Sequence, residues 1–523
     1  MNTNSCFATQ GELVKLAYDA FGVLPRKEAS HDDIDEIQKK AIQKQLSRLA
    51  KEEGGLLSNL GQVIQTLSSI LASYLPSIQI MSAIGDPFND LLEAYSRLVR
   101  EEGTYLSKSE TVRYFISTTA IPLLVVSLNQ SLLKHRLADL TLDMPKDNFW
   151  YLPTVKEDGC LVLPLEKVMR WVYTRCDLSQ TQFHYPGKNP QSDSNTLQQN
   201  LDNAIKWTRG VRLPALPALF KNFEESFAAL AQNGRDVSKE LQVSIFVALL
   251  IARVSSYLAR EIKKAYDPRY LADACQQFRE YAVWIADDVD EFKAQLAPVM
   301  QQQESAESAA SVWLTACTDY WAFFGSKVTD VADKVWQLEN ARPGTPIRDD
   351  VLEALKSRYG LFAVCTHLDL LGRQSAFLPP QGFAQLLNAG FELKGDVATR
   401  LEQIDDYAAQ VAAYGLDEQL CWMVPWLRGV YHYRGGQFET AMSHLQVAFE
   451  NAKYRAGKNQ YKLVNQYVEL AAKNDDRRSF KKGIEWAQYL NIKIRWLRDN
   501  EPTEEKLNFV YSMLKMARYD HQM

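Results

Sequence analysis

The sequence lacks the common catalytic and cofactor-binding motifs. Its 523 residues contain no G-x-x-x-x-G-K-[ST] loop, no G-x-S-x-G elbow, no H-E-x-x-H pair and no dinucleotide-binding glycine pattern. Each motif holds phosphates, a nucleophile or a metal ion in a fixed place, so the matching nucleotide, hydrolase and zinc-protease mechanisms have no motif support. We therefore predict no catalytic residue, no metal ligand and no cofactor, and a binding protein is favoured over an enzyme.

Cysteine and histidine are scarce, with seven of each in the chain. The cysteines form no C-x-x-C pair and have no histidine at zinc-ligand spacing, which is typical of proteins in a reducing compartment. The carboxylates within 287–291 have no matched ligand set, so an exposed helix face explains them better than a metal site. His367 and His432 have arginines nearby, and a histidine–arginine ribonuclease site is the less favoured interpretation of them.

No uninterrupted hydrophobic run is long enough to span a membrane. The apolar window at 115–128 is short and contains Pro122, and the window at 241–259 is interrupted by Arg253. Both windows predict buried helices. The first twenty residues have no basic start followed by an apolar stretch, so we expect no secretory signal, no membrane association and a cytoplasmic protein.

Helical periodicity dominates the remaining sequence. Hydrophobic residues make up 46% and charged residues 24% of the chain, close to the average of soluble globular proteins. Apolar residues recur at helical spacing almost throughout, which predicts a mainly all-α, multi-domain protein. The exception is 149–164, where two apolar runs flank Asp158-Gly159 and predict a small β-hairpin near residues 150–163.

Four polar or proline-rich breaks divide the chain, at 185–195, 301–311, 339–350 and 378–383. They predict four parts: an N-terminal helical domain at 1–145, a β-hairpin with a helix-turn-helix-like element at 146–222, a central helical domain at 223–338 and a helical-repeat domain at 350–523.

The segment "WLRGVYHYRGGQFETAMSHLQVAFENA", residues 426–452, places small residues where two helices would cross. Its matching positions are Gly429, Gly436 at a turn, Phe438, Ala441 and Ala448. With a second copy carrying Ala471, Phe480 and Gly483, the region 426–490 resembles tetratricopeptide repeats. The resemblance implies stacked helical hairpins that bind a protein or peptide in a concave groove. The alternative is a generic helical hairpin whose glycines are simply turn residues.

The C-terminal part of the chain is basic. Residues 451–523 carry a net charge of +6, and since the whole chain carries −5 the preceding residues carry −11. Partner contacts are predicted for Arg477, Arg478, Lys481 and Lys482, which could bind an acidic protein or nucleic acid. The alternative is that these residues form the solvated face of a helix whose aromatic residues lie in the core.

The region 165–219 resembles an Xre/Cro-type helix-turn-helix. Leu178-Ser179-Gln180 matches the capped start of its second helix, and "WTRGVRLP" at 207–214 matches the end of its third helix. The stretch between them is about ten residues longer than the compact motif, whose tight turn sets its docking on DNA. The alternative interpretation of 207–214 is a core helix that ends in a proline turn.

This second resemblance implies a DNA-binding helix. Between Pro164 and Lys221 eight basic and four acidic residues leave a net charge of +4, which permits phosphate contacts. The residues predicted to contact DNA are Asn195, Thr196, Gln198, Gln199, Lys206, Arg209 and Arg212.

The sequence thus favours a non-enzymatic scaffold or adaptor that binds a protein or peptide partner. The alternative is a DNA-binding regulator in which the helical array acts as a sensor. A weaker third interpretation, by analogy alone, is a component or nuclease effector of a bacterial defence system. No oligomeric state is predicted.

Overall fold

The computed structural model describes residues 7–23, 36–52, 55–75, 77–101, 105–135, 142–178, 194–303, 305, 307–317, 350–351, 354, 379–495, 497 and 502–516. Helices account for most of these residues, which confirms the predicted all-α class. The first eleven helices are α1 (Gln10–Phe21), α2 (Glu36–Ala50), α3 (Leu56–Tyr74), α4 (Ile78–Glu101), α5 (Lys108–Phe115), α6 (Ile121–Lys134), α7 (Pro164–Arg175), α8 (Ser194–Thr208), α9 (Leu216–Gln232), α10 (Lys239–Ala265) and α11 (Pro268–Gln301).

Seven further helices follow at the C-terminal side: α12 (Phe383–Gly395), α13 (Leu401–Ala413), α14 (Met423–Arg434), α15 (Phe438–Ala452), α16 (Gln460–Lys473), α17 (Arg477–Tyr489) and α18 (Glu504–Met516). A π-helical turn at Ile116–Ala120 joins α5 to α6, and a 3-10 turn at Gly457–Asn459 precedes α16. The part of the predicted helical-repeat region that the structure describes is therefore mainly helical.

The predicted β-hairpin is present. Strand β1 (Thr154–Val155) pairs antiparallel with β2 (Leu161–Val162), and these form the only sheet in the described part of the chain. Of the two turn residues, only Gly159 has a positive φ, of +75°. Asp158 instead accepts a hydrogen bond from the Cys160 amide at 2.8 Å, so its side chain stabilises the turn without a left-handed backbone.

Two large hydrophobic clusters hold most of the described helices together, and a smaller one packs α6 against α11. One large cluster joins α1, α2 and α3 to α7, α8, α9 and α10. The other joins α12 to α18 to the C-terminal part of α4, including Tyr95, and to Phe7 before α1. Aromatic residues from distant parts of the chain thus meet in one core, and burial of such surface is the main driving force of folding.

The apolar helix α10 is stabilised by a buried arginine. Arg253 is 5% exposed and donates hydrogen bonds to the carbonyls of Pro214 and Asp19, each at 2.9 Å. This guanidinium ties α10 to the end of α1 and to the segment after α8. By length and hydropathy α10 is the one described helix that could cross a membrane, and half of its most apolar window is buried inside the protein.

A buried ionic cluster joins the turn after α2 to α15 and α17. The Glu52 side chain is 6% exposed and lies 3.9 Å from Lys453 Nζ, and it accepts a hydrogen bond from the Tyr454 hydroxyl. Burial raises the pKa of Glu52 to about 7; Lys453 opposes this rise and Glu450 adds to it. A carboxyl group with a pKa of about 7 therefore lies where the turn after α2 contacts α15 and α17.

Candidate functional site

The helix-turn-helix resemblance lies only partly within the described residues. Ser179, Gln180 and the turn up to residue 193 fall outside them, whereas the following helix is α8. Trp207 of α8 is 2% exposed, and Gly210, with a φ of +65°, packs against Leu163 before α7. Core packing between α7 and α8 therefore accounts for the tryptophan and the glycine on which the resemblance depends.

The residues predicted to contact DNA follow α8 and its exit. Asn195 and Thr196 lie in the first turn of α8, and their side chains are outside the described residues; Gln198, Gln199, Lys206, Arg209 and Arg212 are exposed. Gln198 donates to Asp202 Oδ1 at 3.0 Å, so a carboxylate shares this face. The three cations form no ion pair with any carboxylate that the structure describes.

The four basic residues predicted to bind a partner all lie on α17: Arg477, Arg478, Lys481 and Lys482. Lys481 pairs with Glu504 of α18 at 2.7 Å, and Lys482 pairs with Glu450 of α15 at 2.5 Å. Arg477 donates to Asn508 of α18. Three of the four side chains thus link α17 to neighbouring helices, whereas Arg478 is exposed and makes no side-chain hydrogen bond or ion pair to another helix among the described residues.

The C-terminal helices form successive antiparallel pairs. In α14 and α15, which the turn at Gly436 joins, the rings of His432 and His444 stack with their centroids 5.3 Å apart. In α16 and α17, Trp486 Nε1 donates to Gln460 Oε1 at 3.2 Å. Short connections between amphipathic helices favour this arrangement, because adjacent helices then bury their shared apolar stripes.

Small residues lie where the paired helices cross. A Cβ at Gly429 would lie 3.0 Å from Leu445 Cγ, and one at Gly483 would lie 2.6 Å from Val468 Cγ2. Ala441 and Ala448 are fully buried, whereas Phe438 remains 40% exposed. These positions show why the sequence needs glycine and alanine there, because a larger side chain would push the helices apart.

The first helices of the pairs, α12, α14 and α16, lie side by side and form what we call the first-helix face. Phe391 of α12 meets the ring of Trp426 of α14 edge to face at 6.3 Å. Trp426 Nε1 donates to Gln466 Oε1 of α16 at 2.6 Å, and Lys473 of α16 donates to the Tyr433 hydroxyl at 2.6 Å. The face is therefore continuous across three helices.

A pocket of about 190 Å³ opens beside this face, at the ends of α12 and α14 and the start of α13. Apolar and polar groups line it about equally. The apolar side chains are Leu393, Val397, Ile404, Leu427 and Val430, and polar groups reach it from Lys394, Thr399, Arg434 and Gln437. A concave cavity that combines apolar side chains with a few polar groups is the usual form of a binding pocket.

Lys394 is the most strongly perturbed cation at the pocket. Burial and, to a smaller extent, the positive charges of Lys462 and Arg434 together lower the pKa of its ammonium group to about 8. Its Nζ lies 4.5 Å from the centroid of the Trp426 ring, an arrangement that attracts a cation to the face of the ring. A lysine held beside two further cations favours an anionic ligand.

Arg434 fixes the shape of the pocket. Its guanidinium donates to the carbonyl oxygens of Lys394 at 2.9 Å and Asp396 at 2.8 Å. These carbonyls end α12, where the last turn has no partners inside the helix and the helix dipole favours a cation. The arginine thereby couples the end of α12 to the last turn of α14.

Sequence reasoning did not find this pocket. Its lining comes from the turn between α12 and α13 and from the end of α14 with the turn that follows it. The lysine and arginine that border it are separated by 40 residues. The only local signal of this pocket is the sequence "ELKGD" at the end of α12, because it places a basic residue, Lys394, in the last turn of a helix.

The other candidate chemistry remains dispersed. Among the described residues, no three His, Cys, Asp or Glu side chains gather as a metal-ligand set. His367 and the side chains of Asp287 and Asp288 lie outside the described residues, and Asp290 pairs with Lys293 at 3.7 Å. His432 accepts or donates a hydrogen bond with Gln437 at 2.6 Å, next to the pocket.

The site therefore consists of a first-helix face and an adjoining apolar pocket with cationic groups. No protein-family model matches this chain, and neither the curated proteins nor the solved structures contain a significant match to it.

Proposed function

We propose that this protein is a non-enzymatic macromolecular recognition protein, a helical-repeat scaffold or adaptor that binds a protein partner through α12 to α17. The observation that supports this proposal best is the side-by-side packing of α12, α14 and α16, joined by Trp426, Gln466 and Tyr433. Helical hairpins stacked in this way present an extended surface made of one helix from each pair, and such surfaces serve binding.

The glycine and alanine positions add support from the sequence. Gly429, Gly483, Ala441 and Ala448 lie at the crossings that a tetratricopeptide-like pair requires. The tetratricopeptide assignment is part of the proposal. The basic character of α16 and its surroundings, with Lys462 exposed on the same side, agrees with a partner that carries negative charge.

The test is cross-linking mass spectrometry of the tagged full chain, purified from native cells with nucleic acid retained. We expect a stoichiometric protein partner whose lysine cross-links fall on α12 and α16, at Lys394 and Lys462. Lys462→Glu should remove that partner, because a reversed charge on the first-helix face repels an acidic protein. The matched control, Lys239→Glu at the exposed start of α10, should retain it.

Two results would reject the proposal. The first is a chain that purifies without any stoichiometric protein. The second is a partner that Lys462→Glu and Lys239→Glu retain equally and whose cross-links lie away from α12 to α17.

A second candidate function is DNA binding through α8. The observation in its favour is the exposed, unpaired cationic group of Lys206, Arg209 and Arg212, described above. Duplex binding by these residues would weaken steeply with added salt, because each phosphate contact releases counterions. The double variant Arg209→Ala with Arg212→Ala should lower the salt slope in fluorescence anisotropy, and no binding at low salt would dismiss this candidate.

A further inference from the structure

We propose that the pocket between α12, α13 and α14 takes one bulky apolar side chain of an acidic partner peptide, whose carboxylates contact Lys394 and Arg434. The inference rests on the proposed function and names the chemistry of the partner. It also places the contact beside the turns of the helix pairs, away from the centre of the first-helix face.

The volume and lining of the pocket suit an apolar side chain. On one side of the pocket, Leu393, Ile404 and Leu427 offer water no hydrogen bonds. Replacing poorly bonded water there by an apolar group is favourable. A cavity of about 190 Å³ has room for one leucine or aromatic side chain, and the polar groups of Lys394 and Arg434 lie at its border.

Exposed apolar groups surround the opening. Val397 is 79% exposed and Tyr431 is 37% exposed, and both line the pocket. Apolar groups that border a cavity with charged neighbours are typical of interaction sites. The pocket can therefore be reached from solvent without rearrangement of the helices.

Charge selects an acidic partner. Lys394 lies close to Lys462 and Arg434, and it forms no ion pair with a carboxylate in the described residues. The nearest acidic residue of the turn, Asp396, has its Oδ1 engaged with the Ala398 amide at 2.8 Å. A peptide carboxylate would reduce the repulsion among the cations, and a basic peptide would increase it.

The test is fluorescence anisotropy of the full chain with a labelled peptide in which aspartates flank one phenylalanine. Two further peptides serve as controls, one with lysines in place of the aspartates and one with alanine in place of the phenylalanine. We expect only the first to bind. Lys394→Gln should weaken its binding about tenfold, as expected for loss of a charged hydrogen bond, and Lys239→Gln should leave it unchanged.

Val397 offers a matched pair of variants at one exposed position. Val397→Asp should weaken binding of the acidic peptide about threefold and Val397→Lys should strengthen it about threefold, since surface charges contribute modestly. Both variants should keep the circular dichroism spectrum of the wild type, because the side chain makes little core contact.

Several outcomes would overturn the inference: no binding of the aspartate–phenylalanine peptide, equal binding of the lysine peptide, equal binding of the alanine peptide, or identical affinities for the two Val397 variants. Failure here is distinct from failure of the proposed function. A native partner lost in Lys462→Glu but retained in Lys394→Gln and Val397→Asp would keep the scaffold and reject this pocket as its contact.

Discussion

Replacing Glu52 by Gln should stabilise the protein above neutral pH and leave its stability unchanged near pH 4. The carboxyl group is 6% exposed, and burial raises its pKa from 4.5 to about 7. A tenfold change in proton affinity corresponds to about 1.4 kcal/mol. The full rise therefore corresponds to about 3 kcal/mol by which the folded state disfavours the charged form.

The sign of this pH dependence follows from which state, folded or unfolded, binds the Glu52 proton more tightly. Between pH 4.5 and 7 the folded chain keeps the Glu52 proton while the unfolded chain loses it, so rising pH lowers the free energy of unfolding over this interval. The contribution of the protonated group is complete below pH 4.5 and lost as pH passes through 7. Glu52→Gln carries no charge and can still accept the Tyr454 hydrogen bond, so it should not show this loss.

The assay is urea unfolding followed by tryptophan fluorescence, at half-unit steps from pH 4 to pH 8. The quantity to plot is the free energy of unfolding of Glu52→Gln minus that of the wild type. It should rise from near zero at pH 4 to about 3 kcal/mol at pH 8. Titrating groups away from Glu52 are common to both proteins and largely cancel.

A difference that stays constant with pH would refute the reasoning, because it would mean that Glu52 has the same pKa in the folded and unfolded states. A difference that falls with pH would also refute it, since the ion pair with Lys453 would then outweigh the cost of burial.

Three further predictions follow from packing, buried hydrogen bonds and charge. Gly483→Ala should lower the free energy of unfolding by about 1–3 kcal/mol, since its Cβ would lie 2.6 Å from Val468. At Gly61 an added Cβ meets nothing within 4 Å. Gly61→Ala should therefore raise the free energy of unfolding by about 0.5–1 kcal/mol in the same urea assay. Arg253→Met should cost about 2–4 kcal/mol because it removes a charged donor to the buried carbonyl of Pro214 and to the half-buried carbonyl of Asp19. Arg212→Met at an exposed site should change stability little, and equal effects of the two variants would contradict the assigned hydrogen bonds. Affinity for the aspartate–phenylalanine peptide should fall as pH rises through about 8, because Lys394 then loses its charge, and Lys394→Gln should abolish that dependence in fluorescence anisotropy.

Local patterns in the sequence were enough to predict the secondary structure. The α-helical class follows from apolar residues at helical spacing, and the hairpin at 154–162 follows from two apolar runs around Asp158-Gly159. Gly429 and Gly483 could be identified as contact positions because only a residue without a Cβ allows such close approach of two helices.

Sequence patterns were less informative about contacts whose two residues lie far apart along the chain. Lys481 and Lys482 look like a free basic surface in the sequence, but Glu504 and Glu450 neutralise them. Arg478, with the same local signal, remains exposed. Sequence proximity cannot distinguish these cases, since the paired carboxylates come from other helices.

The sequence by itself determined which segments become helices, because helical periodicity and turn chemistry act within a few residues. Only the tertiary structure decided which charges meet. It brought Glu52 into the core beside Lys453, and it placed Lys394 and Arg434 around one apolar pocket. The physical reason is that burial and Coulomb interactions depend on distance in space, which hydrophobic packing of the whole chain decides.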